Sequence, residues 1–252
     1  MLYNERAELI LQQLQLQSTV KVTELGELLG VSVDTVRRDL RAMEQQGLIK
    51  CVRGGACLPD SLASLSNFTG REVIHSDLKR ELARKALSYI QPGDIVALNS
   101  GTTNTLLAQE LMGYSQQITV VTNNFAAVNI LMKNQNIRLI AIGGTVNALE
   151  QSTCGTECEQ AFAQYYPDIA FLSINAVNYR DGYTDFRMDE IGVIQLLART
   201  SRKVVAVMDS SKLGKRSKRK VLDAEQVDVL LMDSRVSADT REKYAKKGIM
   251  IE

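Results

Sequence analysis

Gly101, Thr102 and Thr103 stand between a β-rich run, Asp94 to Leu98, and a helical pattern from Asn104 to Met112. A strand, a loop of Asn99, Ser100 and Gly101, and a helix N-terminus offer free backbone N–H groups and the positive end of a helix dipole. The two threonines add hydroxyl donors, and the combination suits a phosphate. The simpler role of these threonines is an ordinary helix cap. The Gly-Lys-Ser/Thr ending of a Walker loop is absent, as is a Gly-x-Gly-x-x-Gly dinucleotide fingerprint. Asn123, the pair Gly143 and Gly144, and Lys212 each follow another predicted strand. Because ligands of α/β sheets bind outside the carboxyl ends of strands, these segments are candidate partners of the same site.

A second chemistry is suggested by residues 36–58, where Arg37, Arg38, Arg41, Lys50 and Arg53 oppose Asp39 and Glu44, five positive against two negative. The net charge of the chain, +1, excludes a polycation. It does not exclude nucleic-acid binding, since phosphate contacts are made by one face. Metal chemistry is not expected: Cys154 with Cys158, and Cys51 with Cys57, give no paired Cys/His zinc pattern. No cofactor and no catalytic residue are predicted either.

These residues need elements to hold them. With 252 residues, 45% hydrophobic and 23% charged, the chain has the composition of a globular protein of one large domain or two unequal ones. No apolar run approaches the ~18 to 20 residues of a membrane span, and the Met1 to Glu8 start is polar, so a cytoplasmic protein with free thiols and no membrane association is expected.

Leu2, Ala7, Ile10, Leu11 and Leu14 form a helical stripe. After Val20-Lys21-Val22, Thr23 is placed to cap a second helix carrying Leu25, Leu28 and Leu29, which Gly30 ends. Ser32 caps a third, in which Val36, Leu40 and Met43 point inward and Asp34, Thr35, Arg37, Arg38 and Arg41 occupy other faces. Leu48 to Val52 and Arg53-Gly54-Gly55-Ala56 read as a hairpin. The order is that of a winged helix-turn-helix over residues 1–58, whose recognition helix enters a DNA major groove. Ser32, Asp34, Thr35, Arg37, Arg38, Arg41 and Arg53 are its candidate DNA-binding residues.

Residues 59–75 lack a sustained apolar period and read as a linker with room for a short element. From 76 to 252, helical patterns alternate with β-rich runs at 94–98, 118–122, 138–142, 168–174, 203–208, 227–232 and 248–251, which predicts a mostly parallel α/β sheet. The basic run Lys215 to Lys220 reads as a solvated loop.

Val31-Ser32-Val33-Asp34-Thr35-Val36-Arg37-Arg38-Asp39-Leu40, Gly47-Leu48-Ile49 and Gly54-Gly55-Ala56 closely resemble the DNA-binding domain of the DeoR family of bacterial transcriptional regulators. The resemblance covers nearly the whole chain. It implies a C-terminal Rossmann-like, ribose-5-phosphate-isomerase-like α/β domain that senses a phosphorylated sugar. It further implies that Gly101, Thr102 and Thr103 hold phosphate while Asn99, Ser100, Asn123, Gly143, Gly144, Glu190 and Lys212 line the pocket. The chain departs from the family at Cys51 and Arg53, where Arg and His are more usual. It departs again at Asn99 for Asp, at Ile194 for Lys, and at 173–177, which lacks glycines.

The expected protein is therefore a repressor of a carbohydrate-metabolism operon, with double-stranded operator DNA and a phosphorylated sugar effector as partners. It is expected to be at least a dimer, since helix-turn-helix proteins read paired half-sites. Two alternatives stay open: a sugar-phosphate isomerase-like enzyme with an accessory DNA-binding domain, in which Glu190, Asp168 and Lys212 move protons, and a ligand-independent DNA-binding protein.

Overall fold

The leucine and isoleucine stripe of the first segment folds as α1 (Tyr3–Leu16), burying Ala7, Ile10, Leu11 and Leu14. It is followed by β1 (Thr19–Lys21), α2 (Val22–Leu29) and α3 (Val33–Gln45). The pair β2 (Lys50–Val52) and β3 (Gly55–Cys57) and the short α4 (Phe68–Val73) come next. The computed structural model describes residues 2–16, 19–52, 54–58 and 68–252, and the chain divides into two compact units, 1–76 and 77–252.

In the first unit β3 pairs antiparallel with both β1 and β2, forming the wing. Thr23 does not cap α2: the helix begins at Val22 with Lys21 in the capping position, two residues earlier, and the Glu24 carboxylate takes the Lys21 N–H at 3.3 Å. Ser32 does cap α3, its hydroxyl accepting from the Thr35 N–H at 3.2 Å. Val36, Leu40 and Met43 then pack inward on α1 and α2. Of the stretch read as a linker, residues 59–67 lie outside the described residues. Residues 68–75 belong to the first unit: α4 lies against α1, and the Ser76 hydroxyl donates to both oxygens of the Glu8 carboxylate, at 2.9 and 3.0 Å. Six helical residues are too short a run to show an apolar period.

The second unit runs α5 (Ser76–Ala86), β4 (Ile95–Leu98), α6 (Thr102–Leu111), β5 (Ile118–Thr122), α7 (Phe125–Leu131) and β6 (Ile137–Ala141). A hairpin of β7 (Thr145–Asn147) and β8 (Ser152–Cys154) follows, then α8 (Thr156–Phe162) and β9 (Ile169–Leu172). The remainder is β10 (Ala176–Asn178), β11 (Gly182–Asp185), α9 (Ile191–Thr200), β12 (Lys203–Val207), β13 (Arg219–Leu222), β14 (Val229–Leu231) and α10 (Ala238–Ala245). Six strands form a parallel sheet in the order β14-β12-β9-β4-β5-β6.

Alternation along each strand feeds two cores. Ala97, Val121, Ala170, Leu172 and Ala206 face α8 and α9; Val96, Leu98, Val120, Phe171 and Val205 face α5, α6 and α7. From β4 the chain winds outward one way through β5 and β6, and from β9 it winds the other way through β12 and β14, so strand order reverses between β4 and β9. Such a switch point opens a crevice at the carboxyl ends of the strands. Beside the main sheet, β10, β11 and β13 form a smaller antiparallel sheet. The expected strand over 248–251 is reduced to a single bridge between Ile251 and Leu230.

Candidate functional site

On the first unit, α3 presents Arg37, Arg38 and Arg41 to solvent. Arg37 pairs loosely with Asp34, 3.4 Å away and also exposed, a contact that a DNA phosphate displaces cheaply. Thr35 is half-buried, its hydroxyl 2.9 Å from that of Ser32. Asp39, counted above as part of the surface charge, faces inward instead: Arg6 of α1 donates to both its oxygens, at 2.6 and 2.9 Å, and so fixes the two helices together. Cys51 also turns away from the surface, its thiol donating to the Leu40 carbonyl, and burial followed by the nearby Glu44 pushes that thiol up to about 11. Arg53 lies outside the described residues.

On the second unit, the loop after β4 enters the switch point. Gly101 precedes α6 with φ 149°, which a side chain rarely adopts, and a Cβ there would stand 2.4 Å from the Ser173 hydroxyl. Thr102 and Thr103 open the helix almost fully buried, and the Thr103 hydroxyl has no hydrogen-bond partner among the described residues. Asn99 spans the switch point: its oxygen accepts the Ser173 N–H at 2.8 Å, and its amide donates to the Ser173 carbonyl at 3.2 Å.

Asn123, at the end of β5, donates to the Thr153 carbonyl at 2.7 Å and to Glu190 at 3.3 Å; its own oxygen has no partner among the described residues. Glu190 is fully buried and also accepts from the Ser152 hydroxyl at 2.6 Å. Burial pushes its carboxyl above the ordinary range, and the Arg187 charge with these two hydrogen bonds pulls it partly back. Lys212 reaches the same strand ends, its ammonium 3.4 Å from the Ile174 carbonyl and 3.8 Å from Asp209.

Asn99, Ser100, Gly101, Thr102, Thr103, Asn123, Glu190 and Lys212 thus gather around the ends of β4, β5 and β9. Gly143 and Gly144 lie farther out, past β6. A Cβ on Gly144 would stand 2.7 Å from the Cys158 Cβ, so this glycine lets the β7–β8 hairpin lie on α8. Ile194 is part of the core, and a separate cavity of about 320 Å³ between α9 and β13 contains none of the cradle residues.

Sequence reasoning missed Arg187 and Asp185. Their side chains form a two-pronged ion pair, Nε to Oδ1 at 3.0 Å and Nη2 to Oδ2 at 2.7 Å, with almost no solvent exposure. Burial works to raise the Asp185 carboxyl, but Arg187 holds it below the ordinary carboxylate range. Ser152 and Glu150 were missed as well. They come from the β7–β8 hairpin, which is tied to the cradle loop by the Ser100 hydroxyl donating to the Glu150 carbonyl at 3.3 Å. An alternating Thr-Val-Asn and Ser-Thr-Cys around a short turn was the only local signal for that hairpin.

Residues 74–234 match the DeoR C terminal sensor domain, and residues 6–62 match the DeoR-like helix-turn-helix domain. The chain belongs to the DeoR family of transcriptional regulators. It is 31% identical to the HTH-type transcriptional regulator GolR of Listeria innocua, over 98% of this chain and 97% of that one. It is 28% identical to the glycerol-3-phosphate regulon repressor of Escherichia coli K12, over 89% and 88%. Among solved structures, ribose 5-phosphate isomerase A from Methanocaldococcus jannaschii is similar at a TM-score of 0.41 and 19% identity, over 55% of this chain and 54% of that one. This DeoR-family chain thus combines a DNA-binding unit and a sensor unit. Among the described residues no helix is long and apolar enough to cross a membrane, and no three His, Cys, Asp or Glu side chains are grouped to hold a metal ion.

Proposed function

We propose that this DeoR-family regulator is a cytoplasmic repressor of a carbohydrate-metabolism operon, released from or tightened on its operator by a phosphorylated sugar bound at the β4–β9 switch point. One observation carries the ligand reading. At the point where strand order reverses, a glycine-led helix start holds a buried threonine hydroxyl with no partner among the described residues, and a helix N-terminus of this kind is a ready anion site. The name of the glycerol-3-phosphate regulon repressor supports a phosphate ester as the class of signal. Affinity suffices for a sensor, whereas turnover requires added stabilisation of a transition state, so the pocket is a binding site without a reaction. Operator half-sites are read by a homo-oligomer through Asp34, Thr35, Arg37, Arg38 and Arg41, with Ser32 setting the helix start and Arg53 serving the wing.

The test is melting of the full chain with a panel of sugar phosphates and the matching free sugars, alongside titration of a duplex selected from a random library. A bound effector at ~100 times its dissociation constant stabilises the folded chain by ~2.7 kcal/mol, and the free sugar does much less. Arg37→Ala or Arg38→Ala costs ~1 to 3 kcal/mol of duplex binding if the side chain reads a base. Phosphorylated and free sugars acting alike would remove the effector reading. Turnover seen by NMR would favour the isomerase-like alternative.

A further inference from the structure

We propose that Arg187 is the positioning residue of the cradle: holding the Ser100 and Ser173 carbonyls on one guanidinium, it fixes the direction in which the Gly101 N–H meets an anionic ligand. This inference rests on the anion-binding reading of the same loop. Beyond the two prongs to Asp185, Nη1 donates to the Ser100 carbonyl at 2.8 Å and Nη2 to the Ser173 carbonyl at 2.7 Å. The Arg187 N–H also donates to Asp185, at 2.9 Å, and the Asp185 carboxylate takes the Asn175 N–H at 3.1 Å. One cation therefore joins the ends of β4 and β9, across the switch point, to the end of β11.

The peptide plane supplies the consequence. The Ser100 carbonyl and the Gly101 N–H belong to one trans peptide and point in opposite directions. Tying that carbonyl to Arg187 turns the Gly101 N–H away from the guanidinium, and this N–H has no partner among the described residues. The Ser173 side chain, held in place through Asn99 and Arg187, closes the other face of Gly101, where no Cβ fits. A buried ion pair is often no more stable than apolar side chains of like size, so cohesion alone gives little reason for a charge here. A planar fork that grips two carbonyls and a carboxylate at once is something arginine does and lysine cannot.

The test uses the full chain and inorganic phosphate as the probe, with calorimetry for affinity and the Gly101 amide resonance for backbone direction. The double variant Asp185→Asn/Arg187→Met removes both charges of the buried pair together and is expected to melt near the wild type. Its phosphate affinity falls by about tenfold or more, the order of one lost hydrogen bond to a charged group, and its Gly101 amide resonance is displaced before phosphate is added. Arg187→Lys keeps the charge but loses the fork, and its affinity falls as well. Wild-type phosphate affinity in either folded variant overturns the proposal, and so does unfolding of both, which would make Arg187 purely structural. If Thr102→Ala weakens phosphate binding while the Arg187 variants do not, only this inference fails. A wild-type chain that binds no phosphate and no sugar phosphate removes the effector reading with it.

Discussion

Glu190 and Asp185 give the sensor unit opposite responses to acid. The Glu190 carboxyl titrates above its unfolded value, because burial outweighs the nearby Arg187 charge and the Ser152 and Asn123 hydrogen bonds. The folded chain therefore holds that proton more tightly, and stability falls as pH rises from the ordinary glutamate range through the folded value. Asp185 titrates below its unfolded value, so its contribution is present above the ordinary aspartate range and is lost as pH falls through the folded value. Glu190→Gln is expected to flatten the first dependence and leave the second, read as melting temperature from acid to neutral pH. An unchanged profile would show that Glu190 is not the titrating group. Gly101→Ala tests the cradle's backbone. It forces an alanine to φ 149° against Ser173, a strain of order 1 to 3 kcal/mol. Lower stability together with a lost response to phosphate is expected; a melting temperature equal to that of wild type would contradict the packing.

At the scale of elements, local signals were legible and long-range ones were not. The recognition helix could be read because its cap, its apolar stripe and its arginines lie within 14 residues. Ser32→Ala removes the hydroxyl that accepts the Thr35 N–H, and should cost ~1 kcal/mol of stability. Duplex binding should weaken with it, as fluorescence anisotropy would measure; full stability in the variant would mean that water caps the helix equally well. The six parallel strands were legible as apolar runs. The strands β10 and β11 were not, because Ala176–Asn178 and Gly182–Asp185 are short and partly polar, and pairing across the fold holds them in place. The same distinction divides the site. Gly101 to Thr103 announced themselves as a strand-to-helix turn, whereas Arg187 finds its carbonyl partners 14 and 87 residues away, at Ser173 and Ser100. Asp39 is the instructive error of charge counting, since its partner Arg6 sits on another helix, 33 residues back.

For the whole molecule, composition and alternation together gave two units, and the division falls at residue 76 because a helix invisible to periodicity extends the first unit. Thr102, Thr103, Asn123, Arg187 and Glu190 are all enclosed by protein, and the Ser100–Glu150 hydrogen bond latches the β7–β8 hairpin to the cradle loop. With the effector bound at the cradle as proposed, its capture is expected to wait for the hairpin to swing away. Temperature-jump relaxation should then show an observed rate that climbs with effector concentration and levels off at the opening rate, on the microsecond-to-millisecond scale of loop motions. A strictly linear climb would show an entrance already open. Ser100→Ala cuts the latch and should raise that plateau. Enclosure would thereby tie release to the same hairpin, so that a captured effector stays until the latch opens again.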